Sequence, residues 1–332
     1  ISGRSDMVVT GGVDTLNDIF MHMCFSKTHT LSATGDARPF SKDADGTVLG
    51  EGIGIVVLKR LESAQKDGNR IYAVIKGLGS SSDGKSQSIY SPSIEGQIRA
   101  LRAAYKNAGI NPATVGLIEA HGTGTRVGDK VEFKALNRIF EESGANGNKC
   151  ALGSVKSMIG HTKASSGAAG LIKAALGLYH KVLPPTLKAE VPDPELDIEN
   201  SHFYLNSSAR PWFTGNGHPR RAGVSAFGFG GSNFHIVLEE YLSAKTEISW
   251  DGNIDITAFS AARKNDLIRS VKRCRDEVVN GLSDDQFRIK AAESRKDFST
   301  AHAYRLLMVH EHDFEKSEPF NRALKALNST GG

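Results

Sequence analysis

The sequence has few cysteines, no long uncharged apolar run and no metal-binding motif, and each absence excludes a class of protein. Its 332 residues include only Cys24, Cys150 and Cys274, which are far apart and odd in number, so they indicate reduced thiols in a cytoplasmic protein. No uncharged apolar segment reaches the roughly 18 residues of a membrane helix. There is no C-x-x-C and no H-E-x-x-H, so we expect no metal site.

An excess of one charge is also missing. The 41 basic and 37 acidic residues are interspersed and leave a net charge of +4. This balance gives no reason to expect binding to nucleic acid or to a membrane surface. The chain opens on Ile1 without a charged segment followed by an apolar one, so we expect no signal peptide and a start inside a larger protein.

Glycine and charge divide the chain near residue 242. Residues 1–241 contain 31 of the 35 glycines, whereas residues 242–332 contain four glycines, 15 basic and 14 acidic residues. A glycine-rich part favours tight turns and close backbone approaches, and the charged part favours a small helical unit or linker. We therefore predict a domain boundary at residues 241–250.

Short apolar runs alternate with amphipathic segments in the first part, which predicts an α/β fold with helices covering a mixed sheet. Asp129 and Glu132 match a capping box, so Asp129 is the predicted N-cap of the second helix. The third helix is almost wholly small and apolar, so we expect it to be buried. The predicted strands are residues 7–12, 53–59, 71–78, 117–120, 151–155, 203–206, 223–227 and 235–239, and the predicted helices are residues 94–108, 130–142 and 162–180.

One motif matches a nucleotide-binding loop. Residues 79–86, G-S-S-S-D-G-K-S, fit the P-loop pattern and follow a predicted strand. A P-loop enters a helix at its Lys-Ser, so that the helix N-terminus faces the phosphates. Here Pro92 follows closely and blocks an early helix. We interpret the match as coincidence and keep a nucleotide-binding protein as a remote alternative.

Two of the eleven histidines lie in predicted strand-end turns, where α/β proteins place ligand sites. His121 stands in E-A-H-G-T-G-T and His161 in K-S-M-I-G-H-T. Either one alone fits a structural role, but the pair favours a site. At a predicted helix N-terminus and near Lys156, the His161 imidazole should be neutral. A neutral N–H directed at a carbonyl can stabilise an enolate, which suits carbanion chemistry next to a thioester.

A glycine-rich turn lies between two predicted strands in residues 223–233, G-V-S-A-F-G-F-G-G-S-N. Glycines on both sides of Phe229 allow its backbone to approach a ligand closely, so its N–H is a candidate oxyanion donor. A simple glycine hairpin explains the same pattern.

Together these segments resemble β-ketoacyl synthases, the condensing domains of fatty acid and polyketide synthases. The resemblance covers about residues 1–241, and residues 254–312 resemble the linker between a ketosynthase and an acyltransferase. The form of HGTGT and KSMIGH is similar to that of multidomain type I synthases, including the polyunsaturated fatty acid kind. The matching segments, in the family's order, are ARPFSKDADGTVLGEGIGIVVLKRL, SSDGKS, EAHGTGTRVGDKVE, LGSVKSMIGHTKASSGAAGLIKAAL, LPPTL and VSAFGFGGSNFHIVLEE.

The resemblance implies a thiolase-like fold, a five-layer α-β-α-β-α arrangement made of two similar halves. Residues 1–62 would be the end of the N-terminal half and residues 63–241 the C-terminal half. Residues 242–332 would be a small α/β linker between ketosynthase and acyltransferase.

The resemblance also implies roles for residues of the site. His121 and His161 would assist malonyl decarboxylation and stabilise the enolate, and Lys156 would organise them. Glu132 would be a supporting carboxylate, although helix capping explains it equally well. Phe229 would gate the acyl pocket and complete the oxyanion hole. The implied substrate-binding residues are Thr123 and Thr125, for the phosphopantetheine arm, with Gly230 and Gly231.

The implied reaction is a decarboxylative Claisen condensation of an acyl thioester with a malonyl group on an acyl carrier protein. No cofactor would be bound directly, because the carrier protein brings the phosphopantetheine. We also expect a homodimer and an adjacent acyltransferase domain. The family's nucleophilic cysteine belongs upstream of residue 1, and none of the three cysteines replaces it, so we expect the chain alone to be inactive. A decarboxylase without condensation and a purely scaffolding role stay open.

Overall fold

The computed structural model describes residues 5–84, 91–144, 149–214, 217–241, 254–311 and 315–329. The chain forms two compact units, Ile1–Ser249 and Trp250–Gly332. The division between them falls inside the range of residues 241–250 in which glycine and charge change.

The first unit alternates strands and helices, as the apolar pattern predicts. Its elements are β1 (Met7–Asp14), α1 (Ile19–Lys27), β2 (Gly52–Lys59), α2 (Leu61–Lys66), β3 (Val74–Ser82), α3 (Ile94–Ala108), β4 (Leu117–Glu119), α4 (Arg126–Glu142), β5 (Cys150–Gly153), α5 (Lys156–Ile159), α6 (Ser166–His180), β6 (Val182–Leu183), β7 (Phe203–Leu205), β8 (Arg210–Pro211), β9 (Arg221–Phe227) and β10 (Ser232–Glu239). Four 3-10 turns, at Pro112–Thr114, Lys163–Ser165, Pro194–Leu196 and Ile198–Asn200, complete the described elements of this unit.

A six-stranded mixed sheet with the order β3-β10-β9-β4-β5-β7 forms the centre of the first unit. Its middle strand, β4, pairs in parallel with β5 and β9. Successive residues of a strand face opposite sides of a sheet. Leu117 accordingly packs in one hydrophobic cluster with Leu178 of α6, and Ile118 packs in another with Leu101 of α3 and Leu136 of α4. The sheet therefore separates two cores.

Helix α3 lies unusually close to the edge strand β3. Its predicted apolar stripe is buried at Ile98, Leu101 and Tyr105. The close approach requires glycine in the strand, because a Cβ at Gly79 would lie 2.0 Å from the carbonyl oxygen of Ala100. This packing explains part of the glycine content of the first unit.

Strands β1 and β2 form a separate antiparallel pair on the other side of α6. A Cβ at Gly54 would lie 3.0 Å from the Cβ of Ala168, so one face of the pair rests against that helix. The opposite face is open, and its apolar residues Val9, Val13, Ile53, Ile55 and Val57 are all more than half exposed. The order helix, sheet, helix, sheet supplies four of the five layers that the resemblance implies.

The second unit is a small α/β unit, as predicted. Strands β11 (Ile254–Ala261) and β12 (Tyr304–Glu311) form an antiparallel pair, packed with α7 (Lys264–Val279), α8 (Asp284–Lys296) and α9 (Glu318–Ser329). Its core consists of Leu267, Val271, Cys274, Phe287, Met308, Phe320 and Leu324.

The predicted capping box at the start of the second long helix is wrong. The N-cap of α4 is Thr125, whose hydroxyl accepts a hydrogen bond from the Gly128 N–H at 3.3 Å. Threonine at this position satisfies a free N–H of the first turn, so the helix begins four residues earlier than predicted. Asp129 instead lies buried inside the first turn.

The P-loop match lies largely in a strand. β3 continues to Ser82 and so includes Gly79, whereas a P-loop would already have left its strand there. Lys85 and Ser86 lie outside the described residues.

The small, apolar helix is only partly buried, contrary to the prediction. α6 begins at Ser166, after the 3-10 turn Lys163–Ser165, and buries one stripe that includes Gly170, Ala174 and Leu178. Leu176 is 40% exposed. Among the described residues, no helix is both long and apolar enough to cross a membrane.

Candidate active site

The fold brings the two predicted histidines together. His121 follows β4, and His161 follows the short helix α5. Their ring centroids are 5.3 Å apart, with an angle of 82° between the planes. Phe227, the last residue of β9, lies 5.9 Å from the His121 ring. The segments that follow the parallel strands β4 and β5 thus form one partly buried site at the carboxyl ends of these strands.

Backbone hydrogen bonds hold His161 on both sides. Its N–H donates to the Val48 carbonyl at 2.6 Å, and its own carbonyl accepts from the Gly50 N–H at 3.1 Å. The ring is fixed as well, because the Lys163 N–H donates to Nδ1 of His161 at 3.1 Å. An Nδ1 that accepts carries no proton, so the neutral ring is protonated at Nε2. His161 therefore presents an N–H donor to the site.

Both imidazoles are neutral at physiological pH. The pKa of His161 is lowered to about 3, chiefly by burial and also by Lys156 and Lys163, whereas Asp14 opposes the shift. Burial also holds the pKa of His121 well below its usual value, with Lys156 and His161 acting in the same direction. The neutral state agrees with the prediction, but its cause differs. Helix α6 begins five residues after His161, so burial and the lysines are responsible, not a helix dipole.

Lys156 lies beside the His121 turn. It is 3% exposed, and its Nζ donates to the carbonyl oxygen of His121. Burial lowers its pKa to about 8, although Glu119, Glu132 and Asp129 oppose the shift. The Lys156 ammonium group therefore holds the His121 turn by its carbonyl oxygen.

Glu132 supports the His121 turn directly and does not cap its helix. One carboxylate oxygen accepts the His121 N–H and the other accepts the Gly122 N–H, each at 2.8 Å. Burial raises the pKa of Glu132 to about 7, although the two N–H donors and Lys156 oppose the shift. Glu132 thereby fixes the backbone from which the His121 ring projects.

Asp129 was predicted only as a helix cap, but it belongs to the same support. Its carboxylate accepts the Phe40 N–H at 2.7 Å and the Gly124 N–H at 3.2 Å. Burial raises its pKa to about 7. Asp129 thus joins the His121 turn to a segment 89 residues earlier in the chain.

Sequence reasoning missed the ion pair between Glu119 and Lys173. Glu119 is 1% exposed, accepts the Val155 N–H at 2.5 Å and lies 2.8 Å from the Lys173 ammonium. It therefore holds the residue that precedes Lys156. A carboxylate inside an otherwise apolar strand was the available signal, because a buried charge needs a partner.

The two predicted substrate-binding threonines already bond to each other. The hydroxyls of Thr123 and Thr125 are 2.8 Å apart, and Thr125 also caps α4. Both are partly buried beside the His121 turn. Their binding of a phosphopantetheine arm stays a prediction.

The glycine turn between β9 and β10 is held by hydrogen bonds at Gly231 and exposed at Phe229. The Gly231 carbonyl accepts the Asp83 N–H at 2.8 Å, and the Asn233 amide donates to the Asp83 carboxylate at 2.6 Å. Gly230 has nothing within 4 Å of a Cβ position. Phe229 is 48% exposed, and its ring centroid is 5.9 Å from that of Phe25.

Two of the three cysteines are buried, and the third is exposed. Burial raises the pKa of Cys150 well above its usual value and that of Cys274 to about 11, so both thiols stay protonated. Cys274 belongs to the second unit, and Cys24 is exposed on α1.

The mixed sheet and the two neutral histidines that follow its strands define an α/β protein with a paired-histidine site. Family models match nearly the whole chain in three consecutive parts. These are the "Beta-ketoacyl synthase, N-terminal domain" over residues 1–64, the "Beta-ketoacyl synthase, C-terminal domain" over residues 72–190 and the "Ketoacyl-synthetase C-terminal extension" over residues 192–309. The chain belongs to the β-ketoacyl synthase family, which confirms the resemblance.

Curated relatives are much longer than this chain. A polyunsaturated fatty acid synthase from Thraustochytrium sp. is 49% identical over 245 residues, which are 72% of this chain and 9% of the relative. The polyketide synthase PksL of Bacillus subtilis is 38% identical over 301 residues, which are 91% of this chain and 6% of the relative. The chain thus spans less than a tenth of either relative.

Solved ketosynthases share the fold. The ketosynthase from module 6 of the bacillaene synthase of Bacillus subtilis matches with a TM-score of 0.69 and 34% identity, over 97% of this chain and 56% of that chain. The oxazolomycin ketosynthase domain OzmH KS7 of Streptomyces albus matches with a TM-score of 0.69 and 33% identity, over 97% and 54%. These matches confirm the predicted thiolase-like ketosynthase fold.

Proposed function

We propose that this chain supplies the decarboxylating part of a ketosynthase active site. The observation that carries the proposal is the pair of neutral imidazoles, His121 and His161, whose rings lie 5.3 Å apart. Decarboxylation of a malonyl thioester breaks the bond to the carboxylate and releases carbon dioxide. The bonding electron pair moves into the thioester group as an enolate. Hydrogen-bond donors directed at the enolate oxygen stabilise that charge.

His161 is suited to donate to this oxygen. Its Nδ1 accepts from the Lys163 N–H, so its Nε2–H is the donor. A neutral donor stabilises the enolate without protonating the substrate. His121, in the neighbouring turn, would also assist decarboxylation. Its Nδ1 is buried and has no hydrogen-bond partner among the described residues.

The supporting residues keep the histidines in place before substrate arrives. Lys156 and Glu132 hold the backbone of the His121 turn by its carbonyl and its N–H. Such preorganisation lowers the barrier because no group has to reorient during the reaction. We assign both residues to positioning.

We further propose that the malonyl group arrives on the phosphopantetheine arm of an acyl carrier protein. Thr123 and Thr125 would contact the arm beside His121, with Gly230 and Gly231 on the other side. The exposed Phe229 would gate the acyl pocket. Its N–H makes no hydrogen bond within the described part of the chain, which supports a role as oxyanion donor.

Condensation needs an acyl group on a cysteine nucleophile, which makes the complete enzyme an acyltransferase. Burial of Cys150 and Cys274 supports a nucleophile outside this chain, so we propose that the chain alone is inactive. We assign residues 1–62 and 63–241 to the two ketosynthase halves and residues 242–332 to the linker towards an acyltransferase domain. A homodimer and a cytoplasmic location complete the proposal.

The test is carbon dioxide release from a malonyl thioester by the synthase that contains this chain. His161→Ala and His121→Ala should each lower decarboxylation about 10²–10⁴-fold. His180→Ala is the matched control, because His180 is exposed at the end of α6. Undiminished decarboxylation by His161→Ala would contradict the proposal. Decarboxylation without any condensation product would favour a non-condensing member of the family.

A further inference from the structure

Lys163 occupies a strained position two residues after His161. Its φ is +44°, in the left-handed region that few residues other than glycine adopt. This conformation directs its N–H at Nδ1 of His161, 3.1 Å away. Strained residues persist only where their surroundings hold them. The contacts that hold Lys163 therefore also control the proton on the His161 ring.

The Lys163 side chain is buried among three oxygen acceptors. Its ammonium lies 3.0 Å from the Asp14 carboxylate, 2.5 Å from the amide oxygen of Asn17 and 3.1 Å from the Gly50 carbonyl. An ammonium group has three N–H donors, so this set satisfies it completely. The side chain is 9% exposed.

Asp14 binds the same turn a second time. One of its oxygens pairs with the Lys163 ammonium, and the other accepts the Ala164 N–H at 3.2 Å. One carboxylate thus fixes the side chain of Lys163 and the backbone of the next residue. It does so from the end of β1, about 150 residues earlier in the chain.

We propose that Asp14 and Lys163 form a positioning pair that keeps His161 in its Nε2–H tautomer. The inference rests on the proposed function, in which the Nε2–H stabilises the enolate. Without the pair, the turn relaxes from its left-handed conformation and the Lys163 N–H moves away from Nδ1. The His161 ring then rotates and populates both tautomers, and the donor is present for only part of the time.

The kinetic test uses Lys163→Met in the synthase that contains this chain. The turnover number for malonyl decarboxylation should fall about 10–100-fold, as expected when a catalytic group is misplaced. KM should change less than about twofold, because the proposed pair acts through the orientation of His161 and not through a substrate contact. Lys163→Arg should recover most of the activity, because it keeps the charge opposite Asp14.

Lys188→Met is the matched control. Lys188 also has a positive φ, of 61°, and also pairs with an aspartate, Asp36, but that pair is exposed and makes no hydrogen bond with His161 in the described part of the chain. This variant should decarboxylate malonyl thioester at the unmodified rate. An equal loss in Lys188→Met and Lys163→Met would overturn the inference.

A second readout does not depend on turnover. In the ¹⁵N-histidine-labelled chain, His161 is assigned by the resonances lost in His161→Gln. The unmodified chain should show a protonated Nε2 and a bare Nδ1, and Lys163→Met should show averaged shifts of two tautomers. If the unmodified synthase does not decarboxylate malonyl thioester but Lys163→Met shows the averaged shifts, the proposed function is refuted and the pair is supported. A single unchanged tautomer in Lys163→Met would refute the pair, whatever the synthase does.

Discussion

The carboxylate of Glu119 lies 2.8 Å from the ammonium of Lys173, beneath the turn that carries Lys156. Neither group has more than a tenth of its side chain exposed. A buried ion pair adds little to stability by itself, but removing one partner leaves the other charge without compensation. The pair therefore makes the packing of α6 against β4 depend on charge.

Glu119→Gln should lower the free energy of unfolding by about 3–5 kcal/mol, because it leaves Lys173 buried and unpaired. Urea denaturation of the chain measures the change. The exposed pair of Arg102 and Glu142 provides a control, and Arg102→Met should cost less than about 1 kcal/mol. Glu119→Gln combined with Lys173→Met should be less destabilised than Glu119→Gln alone. The same loss in both would show that the unpaired lysine is not the cause.

Glu132→Ala should reduce decarboxylation more than Glu132→Gln does. The alanine variant leaves the N–H groups of His121 and Gly122 without an acceptor, whereas glutamine keeps one acceptor oxygen. Each buried N–H left unpaired costs about 1–3 kcal/mol, so the turn should shift and move the His121 ring. Carbon dioxide release measures the effect. Equal losses in the two variants would mean that the charge of Glu132, not its hydrogen bonds, supports the turn.

The second unit should lose stability in mild acid. Burial lowers the pKa of His310 to about 4, against about 6.5 in an unfolded chain. The unfolded state therefore binds more protons in this range. The His310 contribution is fully present above about pH 6.5 and is lost as the pH falls towards about 4. Pulse proteolysis in urea measures it, and His310→Gln should remove this part of the pH dependence. An equally steep acid loss in His310→Gln would assign the effect to another group.

The open apolar face of β1 and β2 should make the isolated chain associate. Val9, Val13, Ile53, Ile55 and Val57 form a contiguous apolar surface, which proteins rarely leave uncovered. The triple variant Ile53→Thr, Ile55→Thr and Val57→Thr should reduce association in sedimentation velocity. Threonine keeps the preference for a strand, so the pair itself should persist. Unaltered sedimentation would indicate that this face does not drive association.

The sequence predicted the main strands and the three long helices of the first unit and the two histidines, because these depend on local pattern, but it did not predict α1 or α2. Apolar spacing located α3, and glycine next to a strand end marked the turns of His121 and His161. The supports of the site were not predictable in the same way. Asp129 binds Phe40 across 89 residues, and Ala164 binds Asp14 across 150. Local pattern carries no information about such partners.

The predicted start of α4 was wrong for a related reason. Asp129 and Glu132 have the spacing of a capping box. Both carboxylates are buried, however, and accept hydrogen bonds from N–H groups outside the first turn of α4. Thr125 then caps α4. A tertiary partner therefore outweighed a local preference, and the same two acidic residues whose spacing predicted the wrong helix start hold the His121 turn.

Strand β4 has only three residues, so its register in the sheet cannot shift without displacing the turn that follows it. Leu117 faces the α6 core, Ile118 faces the α3 and α4 core, and Glu119 faces Lys173 before the chain turns into His121. Because side chains alternate, inserting one residue into this strand would exchange its faces. The Glu119 carboxylate would then face the apolar core of α3 and α4, and His121 would no longer lie beside His161. The alternation of three consecutive residues thus determines where the His121 turn begins.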